Sequence, residues 1–168
     1  MKALYPNLYI DSTYKIPFEE YYQMGYRAII FDIDNTLVPH GAKATPEAIA
    51  LFDRLHAIGF SCMVMSNNKE PRVKSFAIDA GMLPYIFKAK KPLKASYRRC
   101  MEHMCSEKMN TLFVGDQLFT DVWGAKRCGI YSILVVPIDK KEEIQIVLKR
   151  YLEKIVLYFY KREMSKCK

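Results

Sequence analysis

Four short apolar runs punctuate the chain: RAIIFDI (27–33), FSCMVMS (60–66), TLFVGD (111–116) and YSILVV (131–136). A strand with one wet face alternates polar and apolar side chains. Unbroken apolar runs of this length, bounded by turn residues, predict strands buried on both faces, as in a parallel sheet. A weaker run, YIF (85–87), predicts a short edge strand. Between the runs the period becomes helical. Thr45-Pro46-Glu47 reads as N-cap, first helical residue and early acid, and the segment carries Ile49, Leu51, Phe52, Leu55 and Ile58 before Gly59 stops it. Segments 70–80 and 119–128 stop at Gly81 and Gly129, and a further helix fills 95–105. Alternating strands and helices predict an α/β fold, a doubly wound parallel sheet with right-handed crossovers. Such sheets bind ligands beyond the carboxyl ends of their strands, here just after residues 32, 66 and 115.

At 168 residues and 51% apolar composition the chain fits one domain with its own core and is not a disordered sequence. No repeat, low-complexity tract or Gly/Ser linker divides it. Residues 1–140 form the expected α/β unit, with an N-terminal extension, and 141–168 a basic amphipathic helix. The 26 Lys and Arg against 18 Asp and Glu leave +8, which favours anionic partners: nucleic acid, phosphorylated metabolites or acidic lipid surfaces. Five cysteines at irregular spacing, without a CxxC pair, argue for a reducing compartment. The opening MKALYPNLYIDSTYK lacks the apolar stretch of a signal peptide, and the apolar runs fall far short of the ~20 residues of a membrane span. A cytoplasmic protein, or one peripheral on the inner face of a membrane, is expected.

Chemistry-bearing residues fall at each predicted strand end. FDIDNTL places Asp32 and Asp34 two apart, on one face of an extended segment. Two such carboxylates are either simply solvated or relieved of their repulsion by a cation or a reacting phosphate. In VMSNN, Ser66, Asn67 and Asn68 either hydrogen-bond a phosphate oxygen or cap the next helix. Lys91 precedes Pro92, which biases it away from helix, so its side chain leaves a loop. In VGDQLFTD, Gly115 and Asp116 close a strand and Asp121 follows. Such hard oxygens either suit Mg²⁺ or form a turn with a capping aspartate.

The order DxD, Ser-Asn, Lys-Pro, GDxxxxD resembles the haloacid dehalogenase superfamily. YPNLYIDSTY, DNTLV, SNNKEPRV, AKKP and VGDQLFTDVWGAKRCGI are similar to its YqeG-type subclass IIIA phosphatases, a group that includes mitochondrial phosphatidylglycerophosphate phosphatases. The resemblance runs from about residue 4 to Pro137. It implies a Mg²⁺-dependent phosphomonoester hydrolase in which Asp32 is the nucleophile and forms an aspartyl-phosphate. Asp34 would serve as general acid and then base, Lys91 would neutralise the phosphoryl oxygens, and Ser66 would hydrogen-bond the transferring group. The metal would be held by Asp32, the Asp34 carbonyl and Asp116, with Asp121 an outer partner. Asn67, Lys69 and Arg72 are candidate substrate contacts.

The intervals from Asp34 to Ser66 and from Ser66 to Lys91 are too short for a cap domain, so the site is expected to be open to a phosphate on a large carrier. A lipid head group, phosphatidylglycerophosphate above all, leads. Alternatives are a protein, nucleotide or nucleic-acid end, or a basic RNA- or protein-binding adaptor with an incidental site. Cys100, His103 and Cys105 read as ordinary packing, His40 and His56 as solvated. Segment 140–168 carries nine Lys and Arg against four Glu. In it Ile144, Leu148, Tyr151, Leu152, Ile155 and Phe159 recur at helical spacing. That stripe is expected to pack on the sheet, the other reading being an interfacial anchor on an anionic membrane.

Overall fold

The computed structural model describes residues 2–139 and 144–166, without the side chains of 144–150. Six strands, β1 (Leu8–Ile10), β2 (Ala28–Phe31), β3 (Ser61–Met65), β4 (Tyr85–Ile86), β5 (Thr111–Gly115) and β6 (Tyr131–Val135), form one parallel sheet in the order β1-β6-β5-β2-β3-β4. The helices are α1 (Phe18–Gln23), α2 (Pro46–Ile58), α3 (Glu70–Asp79), α4 (Lys94–His103), α5 (Trp123–Arg127) and α6 (Ile144–Met164). Thr45 caps α2 by accepting from the Ala48 N–H, and Gly59 ends it at φ 110°, a conformation glycine adopts without steric cost. The unbroken apolar strands are explained by two cores. Ile29 and Phe31 face Phe18, Phe52 and Phe76 on one side, while Ile30 between them faces Tyr97 and Phe113 on the other. No cap domain interrupts the described residues, and no described helix is long and apolar enough to cross a membrane.

Three features depart from the expected pattern. The N-terminal extension contributes β1 and α1; Asn7 locks β1 to β6 by accepting from the backbone N–H and the hydroxyl of Ser132, both at 3.0 Å. Three residues are too few to carry a strand pattern. The helix expected over 119–128 is broken: Leu118–Val122 forms one π-helical turn before α5.

The third departure is a correction. Tyr151, Leu152, Ile155 and Phe159 do not pack on the sheet; they are exposed, while Glu153, Val156 and Tyr160 are buried. Side chains of Ile144 and Leu148 lie outside the described residues. Val156 meets Leu118, Val122 and Leu134, with Leu4, Tyr5 and Tyr9 around them, and Tyr160 stacks edge-on against Tyr5. The inward face is chosen by this niche and by Glu153, which accepts from the buried Leu118 N–H at 2.7 Å. Leaving a buried donor unpaired costs about 1–3 kcal/mol, so a polar side chain wins a position that hydrophobicity alone would not assign to it.

Candidate active site

Because β2 lies between β3 and β5, the residues following these strands converge. Asp32 follows β2 and extends its ladder through its N–H to the Val114 carbonyl at 2.9 Å; Ser66 follows β3 and Asp116 follows β5. Lys91 arrives from the loop after β4, which is stitched to the Ser66–Asn68 segment. The Lys88 N–H donates to the Asn68 carbonyl, the Ala89 N–H to the Ser66 carbonyl, and the Lys91 N–H to Asn67 Oδ1 at 2.7 Å. The side chain of Asn67 is thus committed to the Lys91 backbone. Ser66 Oγ accepts from the Asn68 N–H at 3.1 Å and also faces the cleft.

Asp121 reaches the same point from the π-turn. Its Oδ2 accepts from the Gln117 N–H at 3.0 Å and sits where a side chain on residue 115 would stand. A Cβ there would lie 2.5 Å from that oxygen, so glycine at 115 is a condition of this placement. Tyr97 supports the turn from below, donating its hydroxyl to the Thr120 carbonyl at 2.7 Å.

The result is a buried charge cluster. Lys91 Nζ donates to Asp32 Oδ1 at 2.5 Å and to Asp121 Oδ1 at 2.8 Å. Thr36 Oγ1 lies 3.4 Å from Asp32 Oδ2 and 3.3 Å from Asp116 Oδ1, linking those carboxylates. Oxygens of Asp32, Asp116 and Asp121 all fall within 4.8 Å of one another. Burial pushes the Asp32 carboxyl up to about 6; Lys91 opposes this, and Asp121 and Asp34 reinforce it. Burial also penalises the Lys91 ammonium, but Asp121 and Asp32 outweigh it and raise its proton affinity above that of an ordinary lysine. Three carboxylates against one ammonium leave excess negative charge in a dry place, and hard oxygens at this spacing fit a divalent cation such as Mg²⁺.

Asp34 is kept apart from that cluster. Its carboxylate accepts from the Gly41 N–H at 2.7 Å, Asn68 Nδ2 at 2.7 Å and Arg72 Nη2 at 2.9 Å. Burial works against its charge, but these donors prevail and hold the carboxyl below its ordinary range. Arg72 therefore engages Asp34, and its buried Nε has no partner among the described residues. Lys69 occupies the N-cap position of α3 and is exposed. Asp32, Asp34, Ser66, Asn67, Asn68 and Lys91 line an open cleft of about 210 Å³, and Asn35, His40, Gln117 and Thr120 complete it. His40 is exposed there, as is His56 on α2. Thr36, Asn35, Gln117 and Thr120 were not legible as site residues. The one available signal was the hydroxyl of Thr36 four residues past Asp32.

The haloacid dehalogenase-like hydrolase family model matches residues 39–129, more than half of the chain. The chain is also 34% identical over 163 residues to the Bacillus subtilis protein named probable phosphatase YqeG, covering 96% of this chain and 94% of that one. It belongs to the haloacid dehalogenase-like hydrolases. A second relative, the chloroplastic/mitochondrial phosphatidylglycerophosphate phosphatase 1 of Arabidopsis thaliana, is 25% identical over 171 residues, which cover 96% of this hydrolase and 48% of the plant protein. Among solved structures, the cobalt-bound deoxy-D-mannose-octulosonate 8-phosphate phosphatase of Haemophilus influenzae shares the fold. Its TM-score is 0.53 at 13% identity, covering 67% of this chain and 80% of that one. The family match begins after Asp32 and Asp34, so in this hydrolase those two residues rest on the geometry described above.

Proposed function

We propose that this hydrolase is a Mg²⁺-dependent phosphomonoesterase that carries the phosphoryl group transiently on Asp32, with phosphatidylglycerophosphate as its substrate. The observation that carries the reaction class is the clustering of Asp32 and Lys91, which line the open cleft, with the buried Asp116 and Asp121. A carboxylate approaching a phosphate dianion meets like charge, so the site must supply positive charge where it develops. Lys91 supplies one such charge from the protein. Asp32, Asp116 and Asp121, with the Asp34 carbonyl, would hold the metal, which when bound withdraws charge from the phosphoryl oxygens.

In the first half-reaction Asp32 attacks phosphorus, the ester P–O bond breaks, and Asp34 gives its proton to the leaving alkoxide. In the second, Asp34 takes a proton from water as that water attacks the aspartyl-phosphate, releasing inorganic phosphate and restoring Asp32. As found, Asp34 is the carboxylate needed for the second half. To act in the first it must gain a proton, which requires Arg72 to loosen its hold. Ser66 would hydrogen-bond the transferring group and Asn67 positions Lys91. Lys69 and Arg72, at the start of α3, would meet a second anionic group of the substrate.

The lipid substrate is supported by the similarity to the plant phosphatase and by the uncapped cleft, which leaves room for a phosphate on a large carrier. A substrate panel tests it: lipid phosphates, nucleotides, phosphopeptides and 5′-phosphorylated oligonucleotides, each assayed with Mg²⁺. The expected result is a kcat/KM for phosphatidylglycerophosphate well above all the others. Preference for a phosphopeptide, nucleotide or nucleic-acid end would replace the lipid reading, and no Mg²⁺-dependent turnover of any phosphate ester would remove the phosphatase reading as well.

A further inference from the structure

Residues 151–164 of α6, with the turn at 165–166, present two unlike faces. Tyr151, Leu152, Ile155, Tyr158 and Phe159 are 39 to 62% exposed. At 100° per residue they fall in a sector roughly 120° wide, the width of a helix face made to be covered. Their exposure is not a failure of packing, since Glu153, Val156 and Tyr160 already fill the niche on the opposite side.

The charges on these residues divide in the same way. Both acids are already partnered: buried Glu153 accepts from the Leu118 N–H, and half-exposed Glu163 pairs with Lys2 at 2.6 Å on the surface. Lys154, Lys161, Arg162 and Lys166 remain exposed. The outer surface is therefore apolar, aromatic and predominantly cationic.

The same character continues around the cleft. Val136 and Ile138 are exposed on the segment leaving β6, and the Ile138 N–H donates to the carbonyl of Asn35, a residue of the cleft wall. Across the mouth, the loop that delivers Lys91 exposes Phe87 and Leu93 beside Lys88 and Lys90. α6 itself runs beside the wall, since Leu118, which Glu153 holds, follows Gln117 of the cleft.

We infer that the outer face of α6 docks on an anionic phospholipid bilayer, with the apolar and basic rim of the cleft turned toward the same surface. Tyrosines and phenylalanine at the headgroup level, leucine and isoleucine below it, Lys154 and Lys161 along one flank and Arg162 near the C-terminal end of the face suit an interfacial helix. A second copy of the chain is disfavoured by charge, because a two-fold contact would set four cations against the same four. Nucleic acid would satisfy the cations but leave the aliphatic side chains wet. The inference rests on the reading of the cleft as one for a lipid-borne phosphate, since a docked mouth has a purpose only if the phosphate lies at that surface.

The experiment is sedimentation of the full chain with vesicles of phosphatidylcholine alone or mixed with phosphatidylglycerol. Hydrolysis of p-nitrophenyl phosphate and circular dichroism are measured on the same samples. Binding is expected to the anionic vesicles only, weakened by salt. The double variant Lys154→Glu/Lys161→Glu should bind about thirtyfold more weakly or worse, and the triple variant Leu152→Ser/Ile155→Ser/Phe159→Ser should not sediment. Both should keep wild-type helicity and p-nitrophenyl phosphate turnover. Lys149 and Arg150, also in this basic segment, have side chains outside the described residues and are left unchanged.

Failure of the wild type to sediment with either vesicle overturns the inference. So does full binding by the triple variant, or a wild-type dimer that this variant converts to monomer without any vesicle binding, or retention on RNA in place of vesicles. If detergent-dispersed phosphatidylglycerophosphate is hydrolysed while vesicles are ignored, docking fails and the substrate reading stands. If vesicles doped with phosphatidylglycerophosphate are bound but that lipid is not hydrolysed, docking stands and the substrate reading fails.

Discussion

Gly115 is a position where a single methyl group should disturb the fold and the carboxylate cluster together. Its φ lies outside the left-handed region, so alanine fits the backbone and the conflict is purely one of space. A Cβ would stand 2.5 Å from Asp121 Oδ2, 2.6 Å from its Cγ and 2.7 Å from its Cβ. Ordinary contacts between non-bonded heavy atoms begin near 3.5 Å, so Asp121 must retreat by roughly 1 Å. It is not free to do so, because Lys91 Nζ holds it at 2.8 Å and the Gln117 N–H at 3.0 Å. Overpacking of this kind costs about 1–3 kcal/mol, which for a chain of this size lowers Tm by roughly 2–12 °C. The same displacement drags Lys91 and the carboxylate cluster, and misplacing reacting groups by ~1 Å can cost about 100-fold in rate.

Thermal and denaturant unfolding of Gly115→Ala, alone and in an Asp121→Gly background, isolates the effect. Asp121→Gly is required in place of alanine because the Asp121 Cβ is itself in the way. The methyl should become neutral within about 0.5 kcal/mol once that side chain is gone. An equal penalty in both backgrounds, or wild-type Tm and turnover for Gly115→Ala alone, would refute the reasoning.

Other outcomes follow from the same geometry. Asp34→Asn should slow alkyl phosphates by about 100-fold or more but p-nitrophenyl phosphate far less, because p-nitrophenolate leaves without a proton; steady-state kinetics on the two substrates would check this, and equal losses would contradict the acid role. Lys91→Met leaves buried carboxylates uncompensated and should cost about 3–5 kcal/mol in metal-free protein by denaturant unfolding. The Asp32 carboxyl, raised by burial to about 6 in the folded chain, is an ordinary carboxyl when unfolded. Its favourable contribution is present below the unfolded value and lost as pH rises through 6. Calorimetry should therefore show Mg²⁺ raising Tm strongly at pH 7.5 and little near pH 5, and the reverse order would contradict the charge assignment. Glu153→Ala should free the Leu118 N–H and destabilise the chain by about 1–3 kcal/mol in urea unfolding.

The parallel sheet was readable because burial on both faces removes alternation, which Ile29, Ile30 and Phe31 illustrate by alternating between two cores. Asp32, Asp116 and Asp121 were readable because chemistry placed at strand ends needs particular residue types in a fixed order. Side-chain pairing was not. Nothing in the order of residues reveals that Arg72 holds Asp34 or that Asn67 braces the Lys91 loop, since both contacts depend on how loops from β3 and β4 are sewn together. The inward face of α6 was misread for a related reason. Hydrophobic spacing favoured Tyr151, Leu152, Ile155 and Phe159, and a buried hydrogen bond from Leu118 to Glu153 decided otherwise.

The proposed chemistry turns on where the phosphoryl group goes. The enzyme should be mixed with substrate and Mg²⁺, quenched in acid within one turnover and mapped by peptide mass spectrometry. The wild type should carry one acid-stable, hydroxylamine-labile phosphoryl group on the peptide containing Asp32, and Asp32→Asn should carry none. A single turnover that leaves the protein unmodified, or a phosphoryl group that persists in Asp32→Asn, would contradict it.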